Sequence, residues 1–417
     1  MITSAIDFGT TNSVAGINKN HLSQMISLGN NSLETKSVLF YSFEDKNFYI
    51  GDDAINELKN DVKGRYIQSL KSFLGYKDNI ETTLGTDTYS LENLISIILR
   101  RFKNKMEKEV LETIDNIVLG RPVRFNDSDD ILDKKAEKKL KLAAKEAGFK
   151  EIIFQYEPIA AALSYEETIS KEELILVADI GGGTTDYSVI KVSKTNKNKI
   201  DRKDDILSNH GVYVGGNNFD SEIIKNVISP HLGKGSTYNS MGKEMEVGAD
   251  LYFDLSEWHL FQRMFDKKVL YRIEKLIIMS REKYKIERLQ ELIKNNLYFD
   301  FSQKIINSKI ELSSNNFSKI NMNIFSDSFM VNLERKKFEE SISQHTLKIE
   351  KSLKEALLLA NVTSNQIDKV FLTGGSTLVP SVKNIYTKYF SEDKIIHTDV
   401  FTSVGYGLTL FANKIHF

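Results

Sequence analysis

The chain has 417 residues, 27% of them charged, a formal net charge of −1 and no cysteine. That length allows about two to four compact units with ample buried core. Near-neutrality leaves no global field favouring nucleic acid or acidic membranes, and the absence of cysteine excludes disulfides and thiolate chemistry and fits a reducing compartment.

In chain order, residues 1–17 and roughly 36–50 read as strands, with β-branched and aromatic residues between turn signals. The N-terminus enters a strand at once and lacks a leader pattern, and no apolar run approaches the roughly 18 residues of a membrane span. A soluble, cytoplasmic protein is therefore expected. Segment 91–113 has helical spacing, and Ile114 to Leu119 is a buried-type strand followed by Gly120-Arg121-Pro122-Val123. A helix is expected from about Ser128 to Ala147, with Gly148 ending it; its lysines balance acidic neighbours and read as a solvated face. Ile152-Ile153-Phe154 is a strand, and Glu157-Pro158-Ile159-Ala160 opens a helix. Residues 217–313 read as a mostly helical subdomain whose aromatics, including Trp258, Phe261, Phe265, Tyr271 and Tyr284, form its core. A long helix over 336–361 precedes the strand Val370-Phe371-Leu372, and a last helix starts near Val404. Alternating strands and helices, with no Pro- or Gly-rich linker, argue an α/β fold with interleaved domains.

Two segments repeat one plan. Ala5-Ile6-Asp7-Phe8-Gly9-Thr10-Thr11-Asn12-Ser13-Val14 is echoed by Val177-Ala178-Asp179-Ile180-Gly181-Gly182-Gly183-Thr184-Thr185-Asp186-Tyr187, read as carrying two extra glycines. Each is an apolar strand ending in aspartate, a glycine turn, a Thr-Thr pair and a second strand. Glycines let backbone N–H groups close around an anion, and threonine hydroxyls add donors. Carboxylates beside phosphate require a cation, most simply hydrated Mg²⁺, for Asp7 and Asp179. One such hairpin is equally an ordinary β-turn; the duplication points to a nucleotide clamp.

Other candidates are weaker alone. Gly374-Gly375-Ser376-Thr377 follows a strand and precedes a helix begun by Pro380, a common turn that next to phosphate hairpins becomes an adenosine contact. Gly215-Gly216-Asn217-Asn218 opens a helix and reads as nucleotide contact or plain capping. Glu157 could orient an attacking water or complement the helix dipole, and Lys71 could reach a γ-phosphate. The seven histidines show no paired zinc spacing.

With these motifs in order, the chain resembles the actin/sugar-kinase/heat-shock ATPase superfamily, and within it the ATPase domain of DnaK-type chaperones, the seventy-kilodalton heat-shock family. Asp7-Phe8-Gly9-Thr10-Thr11-Asn12-Ser13, Tyr156-Glu157-Pro158-Ile159-Ala160-Ala161-Ala162, Asp179 to Asp186 and Thr373-Gly374-Gly375-Ser376 carry the likeness over nearly the whole length. Lys71-Ser72-Phe73-Leu74-Gly75, Gly120-Arg121-Pro122 and Phe154-Gln155-Tyr156 resemble a bacterial subgroup typified by YegD, chaperone-like proteins with an ATPase module and no peptide-binding domain.

The resemblance implies a two-lobed actin-like fold of duplicated ribonuclease-H-like cores. Lobe I would comprise 1–36, 115–174 and 395–417 with an insert at 37–114; lobe II would comprise 175–216 and 314–394 with a mainly helical insert at 217–313. It implies ATP/ADP and Mg²⁺ as ligands. Asp7 and Asp179 would order the metal's water shell, with Asp186 supporting water or a monovalent ion. Gly9, Thr10, Thr11, Asn12, Gly181, Gly182, Gly183, Thr184 and Thr185 would bind phosphates; Lys71, Glu157, Asp179 and Thr184 form the catalytic set. Gly215, Gly216, Asn217, Lys309, Ser313, Gly374, Gly375, Ser376 and Leu378 would line the nucleoside.

The chain departs from the family at two places. Leu378 stands where the family has an arginine that stacks on adenine, and Ile306, Lys309 and Ile310 stand where it has a Glu and a Lys-Arg pair. Phosphate affinity is expected to survive while adenine affinity falls. A protein without the family's linker and β-rich peptide-binding domain is expected. The expected activity is a slow ATPase switch read by a protein partner, with a nucleotide-binding module without turnover and a small-molecule kinase as alternatives. Nothing in the sequence marks an oligomeric state.

Overall fold

The computed structural model describes residues 2–30, 32–60, 62–78, 80–126, 129–166, 168–196, 199–257, 260–397 and 403–415. The chain forms two compact units, Met1–Tyr213 with Glu350–Thr377 and Tyr386–Phe417, and Val214–Ile349 with Leu378–Ile385. The fold class is α/β.

Two sheets in the first unit follow one plan. The first runs Glu151–Tyr156, Asn116–Arg121, Ile2–Phe8, Asn12–Lys19, Leu22–Ile26, with Glu34–Lys36 paired along Asn12–Lys19. The second runs Ile395–His397, Lys369–Thr373, Glu173–Ile180, Thr185–Val192, Ile206–Val212. In each, the central strand begins an antiparallel meander with the next two strands and lies parallel to a later one. A further parallel strand closes the far edge. The duplication seen in two short motifs is thus a duplication of five strands. The central strand of the second sheet is apolar and buried from Ile175 to Ala178, as a strand covered on both faces requires; that of the first is also buried but includes Thr3 and Ser4.

The register corrects the reading of two extra glycines. Asp7 pairs with Val14 and Phe8 with Ser13; Asp179 pairs with Asp186 and Ile180 with Thr185. Both loops therefore have the same length, because strand pairing and not the Thr-Thr spacing sets it. Thr10 and Thr11 stand where the second copy has Gly182 and Gly183, and Asp186 stands where the first has Val14.

The helix Leu91–Val110 starts in a Ser90–Asn93 capping box and packs on Asp130–Glu146, which Asp129 caps. Gly148, at φ +99°, ends that second helix. The expected first residue, Ser128, lies outside the described residues. Lysines 134, 135, 138, 141 and 145 are exposed as expected, but Lys139 is buried against the neighbouring helix.

The second unit carries the helices Gly216–Ile223, Asp250–Ser256, Lys267–Met279, Lys283–Lys294 and Tyr298–Ser314, with the hairpin Phe317–Met322/Phe329–Glu334. The expectation that its aromatics are core is corrected in part. Phe261 is buried and stacks on Tyr298 with centroids 4.0 Å apart. Phe265, Tyr271 and Tyr284 are exposed. The Lys275 ammonium lies 4.6 Å from the Tyr271 ring and the Arg288 guanidinium 5.4 Å from Tyr284, so two of these rings are surface cation–π partners. Trp258 lies outside the described residues. The single helix expected over 336–361 is two, Arg335–Ser341 and Ser343–Leu359, broken at Ile342.

Candidate functional site

The charged candidates of the first unit sit where strands end. Asp7 is near the carboxyl end of Ile2–Phe8 and Asp179 near that of Glu173–Ile180, while Glu157 is the first helical residue after Glu151–Tyr156. Ligands of open α/β sheets gather outside the carboxyl ends of parallel strands. Lys71 reaches this place from a 3₁₀ turn, Leu70–Phe73, entered through Ser69 in left-handed backbone (φ 56°, ψ 31°). Left-handed backbone costs a residue with a side chain about 1–2 kcal/mol, so this turn is held by its surroundings.

Lys71 donates to Glu157 Oε1 at 2.7 Å, both side chains being almost enclosed. A Cβ on Gly120 would come within 3.2 Å of Glu157 Cγ, which makes Gly120 the floor under this carboxylate. Burial pushes Asp7 from 3.8 up to about 7; the Glu157 and Asp179 charges push the same way, and Lys71 pulls back. Burial, then the Glu157 charge, also raises Asp179. Burial alone would lower the Lys71 ammonium, yet Glu157 and Asp7 outweigh it and hold its pKa above the usual lysine value. The cluster has more enclosed negative charge than its lysine neutralises.

That imbalance is the test for Mg²⁺. Hard carboxylate oxygens in a cation-poor enclosure suit it, and Mg²⁺ keeps most of its waters, needing one or two carboxylates plus phosphate. Among the described residues no group of three or more His, Asp or Glu has direct-ligand spacing. The carboxylates of Asp7 and Asp179 suit an ion that keeps its own waters.

Both hairpins reach this region with their turns accessible. The backbone N–H of Gly181 donates to Thr184 O (2.9 Å), closing the second turn, and Gly183 lies beside Ser72, with 3.7 Å between a Cβ placed there and Ser72 Oγ. Thr10, Asn12, Gly182 and Thr184 are partly exposed, Thr11 is exposed, and Thr185 is buried. In the first turn, Gly9 is required because a Cβ would stand 2.2 Å from Asn12 O. Asp186 faces Asp179 across the strand pair and shares a small pocket with Glu157, Asp179, Asn209 and Thr373.

The Gly374 turn joins the second hairpin. Gly374 has φ +83°, and a Cβ there would stand 2.2 Å from Ile180 O and 2.9 Å from Asp179 Oδ1. Gly375 opens the following 3₁₀ turn, and Ser376 Oγ donates to Gly181 O at 3.0 Å. Gly374→Ala is expected to lower stability by roughly 2–4 kcal/mol, the sum of left-handed strain and overpacking. Denaturant titration measures it; a loss under about 0.5 kcal/mol would contradict this close approach.

The remaining nucleoside candidates gather in the second unit. Gly215 caps the helix Gly216–Ile223, its N–H donating to Asn218 Oδ1 at 2.9 Å, and the Asn217 carbonyl accepts from Ser221 Oγ. Lys309 Nζ donates to Gly216 O (3.1 Å) and Asp220 Oδ2 (2.7 Å), and Ser313 Oγ bonds back to Lys309 O. Gly216 and Lys309 are thus in contact, with the ammonium engaged. Leu378 is half exposed.

Sequence reading missed Ser69, Arg202 and Glu166. Isolated polar residues carry no motif, and only a left-handed φ or total burial singles them out.

A family model described as "Hsp70 protein" matches residues 4–236 and 259–413. The chain is 28% identical over 410 residues to a "Chaperone protein DnaK" of Mycoplasma mycoides subsp. mycoides SC, covering 96% of this chain and 57% of that one. It is 26% identical to proteins of the same name from Mycoplasma mobile (91% and 53% covered) and Mycoplasmopsis synoviae (97% and 57%). The chain therefore spans little more than half the length of these relatives. Among the described residues no helix is long and apolar enough to cross a membrane.

Proposed function

The chain belongs to the Hsp70 family, and from that premise we propose that it is a Mg-ATP-binding, slowly hydrolysing nucleotide switch, cytoplasmic and read by a protein partner. The observation that carries this reading is the meeting of Asp7, Asp179, Glu157 and Lys71 beside a glycine hairpin at the carboxyl ends of two repeated sheets. Within the family it would fall in the YegD-like subgroup, a reading supported by the motifs around Lys71, Gly120 and Gln155. The lobe boundaries given above belong to the same proposal, supported by the duplicated sheet order.

Asp7 and Asp179 would hold the water shell of Mg²⁺, which supplies neutralising charge to the phosphates. The N–H groups of the turns at 9–12 and 181–184, with the hydroxyls of Thr10, Thr11 and Thr184, would grip the phosphate oxygens. Lys71 would donate to the oxygen on which charge develops, and Glu157, fixed by Lys71, would orient the attacking water. Asp186 would support that water. Opening and closing linked to phosphate loss would be the signal a partner reads.

A second reading, a nucleotide-binding module without turnover, is favoured by the engaged Lys309 and by leucine at position 378. Single-turnover incubation with ATP separates the two. The switch reading predicts slow, Mg²⁺-dependent phosphate release; bound ATP that stays intact establishes the second.

A further inference from the structure

The helix that presents Glu157 ends in a different kind of contact. Its ten residues, Glu157–Glu166, span about 15 Å, and its last residue is locked in a fully buried ion pair. Arg202 donates through Nη1 to Glu166 Oε2 at 2.9 Å and through Nη2 to Glu166 Oε1 at 2.6 Å. The two side chains are 1% and 0% exposed. Arg202 Nε donates to Asp205, which also accepts from Asn196 Nδ2 at 3.2 Å and from the half-exposed Lys199. The Ser193 N–H points at Glu166 Oε1. The residues of this clamp other than Glu166 lie between the strands Thr185–Val192 and Ile206–Val212 of the second sheet, whereas Glu157 continues the edge strand of the first sheet.

A buried ion pair is weak as a source of stability, because desolvation offsets most of its attraction; its best-attested use is to fix one register. Buried Ile159 and Leu163, and Tyr165 packed on Phe371, set part of this helix's register, while its alanine face sets little. Its middle is Ala160, Ala161 and Ala162, all buried, and it meets the helix Ser403–Ala412 where a Cβ on Gly407 would lie 1.8 Å from Ala160 O. Small residues allow close approach and leave that face without a directional contact. The bidentate fork is directional and adds one at the helix's last residue, beside the packing of Ile159 and Leu163.

We propose that Arg202, through Glu166, is a positioning residue for Glu157, holding the helix at the setting where Glu157 meets Lys71. The role in turnover rests on the switch reading above; the mechanical coupling does not. Two variants test it: Arg202→Lys, which keeps the charge and loses the fork, and the double variant Glu166→Leu/Arg202→Met, which refills the volume without charge. Single-turnover phosphate release is read beside the Mg-ATP dissociation constant, and amide hydrogen exchange is followed in protein without nucleotide. A misplacement near 1 Å can cost about 10²-fold in rate, so release should fall about 10- to 100-fold with affinity nearly unchanged. Exchange should rise at residues 157–161 while the strand Ile2–Phe8 stays protected. Unchanged release and exchange in folded variants would overturn the proposal, as would exchange rising evenly over the whole chain. If the unsubstituted protein releases no phosphate, the switch reading fails, and exchange at 157–161 alone decides the coupling.

Discussion

Lys71→Ala is expected to lower single-turnover phosphate release by about 10²–10³-fold, the usual loss for one preorganised transition-state donor. It is also expected to lower stability by roughly 3–5 kcal/mol, because removing one partner of a largely buried pair leaves uncompensated charge. The charge left behind is Glu157, now without its 2.7 Å partner, beside Asp7 and Asp179. Measured at a pH well above the Asp7 pKa of about 7, where that carboxyl is ionised, adding Asp7→Asn to Lys71→Ala removes one of those charges, so the double variant should regain part of the stability and none of the turnover. Denaturant midpoints and phosphate release, measured on both variants, separate the two roles. A double variant no more stable than Lys71→Ala would mean that Asp7 does not share the charge cluster.

The second large effect is a pH dependence of the nucleotide-free protein. Asp7 binds its proton more tightly when folded, with a pKa raised from 3.8 to about 7, and Asp179 shifts the same way. The folded state therefore holds more protons than the unfolded chain between these values, and stability falls as pH rises. The contribution is fully present below 3.8 and is lost as pH climbs through about 7. Asp7→Asn carries no such proton, so its stability relative to the unsubstituted protein should improve steadily from acid to pH 8, by a few kcal/mol overall. The same substitution should weaken Mg-dependent nucleotide binding. Thermal midpoints of the two proteins across this range measure the difference; parallel curves would contradict a raised Asp7.

Much of this site was legible in the sequence because its signals are local. A strand ending in aspartate, followed by glycine and threonine, must turn within a few residues, and two copies identify a duplicated plan. The strand-to-helix position of Glu157 followed from Pro158 in the first turn. Loop length was not legible: the Thr-Thr pairs suggested an insertion, but strand register, a property of two segments at once, makes the loops equal. The Lys71–Glu157 contact joins residues 86 apart and left no periodic trace. Tyr271 and Tyr284 misled because an aromatic residue looks apolar in sequence, while a cation over its ring suits it to the surface. The Arg202 clamp was unreadable, since a buried arginine and an exposed one are the same letter.

The most direct test of the account is a calorimetric titration with ATP and with ADP, each with and without Mg²⁺. The account predicts tight binding that depends on Mg²⁺, with the phosphate turns outweighing the adenine contacts altered at Leu378 and Ile306. No heat at millimolar nucleotide, with or without the metal, would contradict it, because two hairpins and an enclosed, cation-poor carboxylate cluster would then have no phosphate to hold.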